Sequence, residues 1–303
     1  MDMDLVTGGL QFPEGPVALA DGSVLLVEMA RKTVSRVGPD GRVEVVAETG
    51  GGPNGIAIGP DGAAYICNNG GLEFVRQGGL TFAGHKSHGG GSGSIQRLDL
   101  DAGKVTTLYT ECDGQPLKAP NDLVFDKTGG FWFTDIGNSD EHRRELGGVF
   151  YATIDGSQIR CWRTNIPAPN GIGLSPDDTV LYVADSLCAR LWAIDLERPG
   201  VARDPDEPWA PGRVICTLPG FHYLDSLAVE ADGRICVGTI VTGGITSFHP
   251  DGSTEFYPVP DKLVTNIAFG GADMRDAWIT ATSTGSLYRC RWPRPGLKLH
   301  YNR

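Results

Sequence analysis

The chain has 303 residues, 40% of them hydrophobic and 21% charged, with 37 acidic side chains against 26 basic ones and a net charge of −11. That composition fills a core and excludes a disordered polymer, and its acidity argues against nucleic acid or anionic membrane partners. Its 43 glycines and 20 prolines, with no collagen-like period, point to many tight turns between short strands.

The N-terminus, Met1-Asp2-Met3-Asp4-Leu5, is acidic and lacks the apolar stretch of a secretory signal. No apolar run approaches the ~18 residues of a membrane span. Seven cysteines (Cys67, Cys112, Cys161, Cys188, Cys216, Cys236, Cys290) form no CxxC pair, and most sit in apolar runs. They are expected to be reduced core residues of a cytoplasmic protein.

From residue 14 a pattern recurs six times: a polar residue, a small or turn-forming one, an apolar run, a turn, a second apolar run. The copies open at Glu14-Gly15-Pro16-Val17, Asn54-Gly55-Ile56-Ala57, Asn121-Asp122-Leu123-Val124, Asn170-Gly171-Ile172-Gly173, Asp225-Ser226-Leu227-Ala228 and Thr265-Asn266-Ile267-Ala268. Their period of about 50 residues matches four-stranded propeller blades. Within a copy, Asp21-Gly22, Asp61-Gly62 and Asp232-Gly233 separate the first two strands. Asp40-Gly41, Asp155-Gly156 and Asp251-Gly252 separate the last two. Asp-Gly suits tight hairpins, since both residues tolerate positive φ. The expectation is an all-β chain: one six-bladed β-propeller domain over residues 1–303 with four-stranded antiparallel blades. Pro293 and Pro295 interrupt the last run, so the sixth blade is expected to borrow Met3–Thr7, with Leu297–Tyr301 as the alternative.

The first strand of each blade lines the channel, which puts Glu14, Asn54, Asn121, Asn170, Asp225 and Thr265 (or Asn266) at one height around an axis. Buried polar groups need partners. Two of these are carboxylates, and nothing basic stands at an equivalent position. Bare carboxylates in a narrow channel raise each other's pKa, and a divalent cation relieves that. Hard oxygen donors suit calcium first, with magnesium, manganese or zinc as alternatives. The loop between second and third strands returns to the same face. The longest, from Asn68 to about Gly93, carries His85 and His88 among glycines, a spacing of three that does not by itself define a metal site. A shorter one, Gly137–Leu146, holds His142, Arg143 and Arg144. Such loops are candidate lids. His222 and Tyr223, just before Asp225, are candidate substrate contacts, as are His85 and His88 of the long loop, and His249 reads as structural.

Phe12-Pro13-Glu14-Gly15-Pro16, Pro120-Asn121-Asp122-Leu123-Val124-Phe125, Pro169-Asn170-Gly171-Ile172, Leu224-Asp225-Ser226 and Thr265–Gly271 together resemble the regucalcin, gluconolactonase and luciferin-regenerating-enzyme family across roughly residues 10–290. The motifs lean toward its drug-responsive lactonase branch. The resemblance implies that Glu14, Asn121, Asn170 and Asp225 hold one divalent ion, with Asn121 a direct ligand in some members and a substrate contact in others. It also implies that Asp225 is the catalytic base or nucleophile, and that Asn54 reaches the substrate rather than the metal. Many sugar-lactone members carry arginine where this chain has Ala119, and Asp-Gly-Met where it has Asp225-Ser226-Leu227. The expected activity is therefore opening of a small lactone, with a simple gluconolactone less well matched. The alternatives are a phosphotriesterase or aryl esterase on the same site, or a metal-binding or interaction propeller without catalysis. GxSxG, HExxH and Walker A motifs are absent.

Overall fold

In a computed structural model, which describes residues 1–87 and 90–302, six antiparallel sheets surround a central channel. No helix is long and apolar enough to cross a membrane. Their innermost strands are Pro13–Ala18, Pro53–Ile58, Pro120–Phe125, Pro169–Leu174, Tyr223–Val229 and Val264–Gly270. Each pairs outward through a second and a third strand to a fourth. In the sixth blade the fourth strand is Asp4–Thr7, which pairs with Ser286–Arg291. The N-terminal strand thus closes the ring, as the interrupting prolines require.

The Asp-Gly turns form where expected but by a different device. Gly22, Gly41, Gly62, Gly156, Gly233 and Gly252 all have positive φ, while their aspartates do not. Gly22 N–H donates to Leu19 C=O, and the Asp21 carboxylate accepts from Ser23 N–H. The same pair of bonds recurs at Gly62 with Asp61 and at Gly233 with Asp232. Only glycine supplies positive φ; aspartate contributes a side-chain cap.

Apolar residues pack between neighbouring blades. Tyr65, Phe125, Phe131 and Phe133 fill the space between blades two and three, and Trp132, Leu174, Leu181 and Val183 that between three and four. Strands buried on both faces read as continuous apolar runs, as Ala64–Asn68 and Phe131–Asp135 do.

One feature of the inner strands sets up the site. Five of them skip two residues in pairing with their second strand, at Gly15-Pro16, Asn54-Gly55, Asn121-Asp122, Asn170-Gly171 and Asp225-Ser226. The sixth skips Thr265. A bulge frees backbone from the ladder and turns side chains toward the axis. By this register Thr265, not Asn266, is the sixth member of the upper ring.

Two additions lie outside the blades. The long loop of blade two folds into a hairpin, Leu72–Gln77 with Leu80–Lys86. Its turn is Gly78-Gly79, both with positive φ. At the opposite end, the segment after Trp292 crosses the underside. Leu297 N–H donates to Val229 C=O, His300 pairs with Asp178, and Tyr301 packs edge-on against Phe125. Leu297–Tyr301 is therefore a strap and not a blade strand.

Candidate metal centre at the channel mouth

Glu14, Asn54, Asn121 and Asn170 are buried at the opening of their strands. Asp225 keeps some solvent contact through the mouth, while packed protein surrounds it on its other sides. In the first three blades, the chain entering the inner strand is pinned from outside by the last residue of the second strand. The Asp135 carboxylate accepts from the N–H groups of Lys118, Ala119 and Gly137 at 2.7–2.9 Å. Asn68 Oδ1 does the same for Gly52 and Gly70, and Glu28 for Gln11. These anchors hold the chain that leads into the ring residues of blades one to three.

The upper ring has unmet valence. Asn170 donates through Nδ2 to Ser186 Oγ at 3.1 Å, which turns Oδ1 away from that hydroxyl. Asn170 Oδ1 and Asn121 Oδ1 are both buried without a hydrogen-bond partner. The other buried side-chain atoms in that condition, Asp185 Oδ2 and the indole Nε1 of Trp132 and Trp192, lie on outer strands. A buried amide oxygen left unpaired costs about 1–3 kcal/mol. Thr265 differs: its hydroxyl is bonded to those of Thr280 and Thr282.

Carboxylates share this end with no cation among the described residues paired to them. Burial pushes Glu14 up to about 7, against the opposing pull of Thr265, the Gly15 N–H and Asn266. Burial, and then the charge of Glu14, hold Asp225 well above the usual carboxylate range. A third acid, Asp122, sits one residue deeper and is also raised to about 7, by burial first and by Glu14 among the rest. The repeat assigns one polar residue per blade and so does not point to Asp122, although it follows Asn121 directly. The deeper ring is Gly15, Gly55, Asp122, Gly171, Ser226 and Asn266. Gly55 and Gly171 are required there. A Cβ on Gly55 would lie 2.6 Å from Asn121 O and Asp122 Oδ1, and one on Gly171 2.5 Å from Asp225 O.

Among the described residues no three His, Cys, Asp or Glu side chains form a metal cage on their own. The fit to a divalent ion rests instead on two carboxylates with two orphaned amide oxygens, all hard donors, at the mouth of one channel. That set suits calcium or magnesium better than zinc.

The other expected residues are placed as follows. His85 lies exposed on the inserted hairpin, with Nδ1 3.4 Å from Ser139 Oγ of blade three. His88 falls outside the described residues. His222 Nε2 lies 3.0 Å from Pro219 C=O, which requires a proton on Nε2 and leaves Nδ1 to accept from Thr242 Oγ at 2.6 Å. Tyr223 stacks edge-on against Phe221 at 5.2 Å. His249 caps its turn beside Asp251 on the far side. The hairpin arches over the face: Phe74 packs on Phe12 beside Glu14 at 4.9 Å, and Thr81 N–H donates to Ser283 C=O of blade six. Arg144 adds positive charge near the mouth, bonded to the carbonyls of Pro167 and Ile136.

The family model described as "SMP-30/Gluconolactonase/LRE-like region" matches residues 12–283. The chain belongs to this family. It is 25% identical to the gluconolactonase of Zymomonas mobilis, covering 88% of this chain and 76% of that one. It is 30% identical to lactonase drp35 of Staphylococcus epidermidis, covering 87% and 71%. The structure of regucalcin from Agrobacterium tumefaciens, described as a calcium-binding protein, superposes with a TM-score of 0.73 at 19% identity over 97% of this chain and 96% of that one. The regucalcin structure shares this chain's fold, and the two relatives at higher identity are named as lactonases.

Proposed function

We propose that this chain is a metal-dependent lactonase whose ion is held by Glu14, Asn121, Asn170 and Asp225. The observation that carries the reading is the pair of orphaned, buried amide oxygens of Asn121 and Asn170, set in the same ring as two uncompensated carboxylates. The lactonase names of the relatives support the reaction class. A bound divalent ion supplies positive charge that polarises a lactone carbonyl and draws the pKa of both carboxylates back down.

The chain's own residues do the rest. Asp225 takes a proton from a water placed against the carbonyl carbon. As the water oxygen bonds to that carbon, the acyl–oxygen bond of the ring breaks, and Asp225 returns the proton to the leaving ring oxygen. The product is a hydroxy acid. Asn54 lies in the same ring and contacts the substrate. Ser186, held between Asn170 Nδ2 and the carbonyl of Leu224, keeps Asn170 and the Asp225 strand in register. The hairpin over blade two, with His85, limits access of bulk water to the mouth.

The test is hydrolysis of aldonolactones, aliphatic lactones and aromatic lactones by metal-loaded protein, with and without EDTA. The expected result is turnover that EDTA removes and that Asp225→Ala lacks while the fold is retained. Metal binding with no turnover on any of these would overturn the proposal in favour of a binding propeller. Wild-type rates in Asp225→Ala would overturn the role of that residue.

A further inference from the structure

Three large apolar side chains stand exposed on the rim beside Asp225. Phe221 is 67% exposed, Leu187 47% and Val241 37%. They come from separate segments, yet hydrogen bonds bring all three to the chain that leads into Asp225. Leu187 follows Ser186, whose hydroxyl donates to Leu224 C=O. Val241 precedes Thr242, whose hydroxyl bonds His222. Phe221 precedes His222 itself and stacks on Tyr223. The result is an apolar arc over blades four and five, with Leu187 one covalent step from Ser186, the residue that bonds both Asn170 and the Leu224 carbonyl just before Asp225.

Val241 adds a second, independent observation. Its φ is +81°. A β-branched residue in that region is a strained outlier, and glycine would relieve it. Three residues on, Gly244 opens the third strand of that blade. Its neighbour Gly243 already occupies positive φ at +80°. The loop therefore keeps a strained, exposed valine where a relaxed glycine fits. Strain of this kind persists where the side chain does something the fold does not need.

We infer that Leu187, Phe221 and Val241 form an acceptor for an apolar substituent on the substrate, so that the preferred substrate is a lactone bearing an alkyl or aryl group rather than a polyhydroxylated one. This rests on the lactonase reading. A sugar lactone presents hydroxyls around its ring, and these three side chains offer them no donor or acceptor. An alkyl or phenyl group buries there while its ring carbonyl reaches the channel mouth. Burial of a few methylenes against such an arc separates two substrates by about ten-fold or more in kcat/KM.

The experiment compares γ-butyrolactone, γ-nonalactone and glucono-δ-lactone on metal-loaded wild type, Phe221→Ala, Leu187→Ser and Val241→Gly. The wild type is expected to favour γ-nonalactone over both others by at least about ten-fold. Phe221→Ala and Leu187→Ser should erase most of that preference through KM, with γ-butyrolactone turnover unchanged. Val241→Gly should raise the melting temperature and lower kcat/KM for γ-nonalactone, opposite signs that a purely structural role would not give. Equal turnover of all three lactones, or a preference untouched by the three substitutions, overturns the acceptor and leaves the lactonase reading intact. Loss of a concentration-dependent dimer in Phe221→Ala, with kinetics unchanged, overturns it in favour of self-association. No turnover of any lactone in the presence of metal overturns both.

Discussion

The two ends of the channel are built from the same six strands and differ in almost every physical property. At the mouth the strands bulge, and Glu14, Asn121, Asn170 and Asp225 turn inward with acceptor atoms unpaired or charges uncompensated. Three or four residues further on, the strands pair regularly, and Val17, Val124, Leu174 and Val229 line a narrow apolar space closed by Leu297 and Leu299 of the C-terminal strap. The lower half satisfies itself; the upper half keeps acceptors without partners and carboxylates without a facing cation. A propeller keeps both on one strand because a bulge changes the facing of side chains without ending the strand.

That contrast can be broken most severely at Asp225. Asp225→Ala should lower lactone turnover by about a thousand-fold or more, measured under saturating metal. Its metal-free melting temperature should hold or rise, since the substitution deletes a buried, repelled charge. The reciprocal change at the other end is Leu174→Asp. An unpaired carboxylate there should cost about 3–5 kcal/mol in denaturant unfolding, with metal present or absent. If both substitutions cost stability alike, the two ends are not functionally distinct.

A smaller effect reads the titration of the mouth. Glu14 and Asp122 are raised to about 7 in the folded, metal-free protein and titrate near 4 when unfolded. A raised folded pKa favours the fold below about pH 4, and that contribution is lost as pH climbs through about 7. Metal binding needs the ionised carboxylates, so it competes with these protons. The gap in melting temperature between metal-loaded and EDTA-treated protein should therefore widen from pH 5 to pH 8. A gap independent of pH would remove Glu14 from the ligand set. The smallest effect belongs to the strap. His300→Ala removes one partly exposed pair with Asp178 and should cost at most about 1 kcal/mol, with KM unchanged.

The blades were legible because their signals are local. Each opens with a polar residue before an apolar run, and each Asp-Gly marks a turn whose glycine takes positive φ. The ring followed from the repeat alone. Asp122 was not legible, because the repeat assigns one polar residue per blade, and only the two-residue bulge shows that the next side chain also faces the axis. The hairpin over blade two was hidden by its own glycines: Leu72–Gln77 and Leu80–Lys86 alternate weakly, and Gly78-Gly79 reads equally well as a loose loop. The anchors Glu28, Asn68 and Asp135 were missed because a side chain bonded to backbone in a neighbouring segment leaves no period in the sequence. The rim of Leu187, Phe221 and Val241 depends on three separate loops meeting, which no single stretch of chain reveals.

Closure of the ring by Asp4–Thr7 has a mechanical consequence. The first and last parts of the chain are joined edge to edge by a zipper of strand hydrogen bonds and not by a covalent link, so the circle is only as strong as that seam. A lateral load on the ring, such as an ion pulling Glu14 of the first blade against ligands on the opposite side, is carried around the circumference and through the seam. Fraying of the first seven residues would then loosen the spacing of the ring residues, and with it the proposed ion site, from the rim of the molecule farthest from the axis.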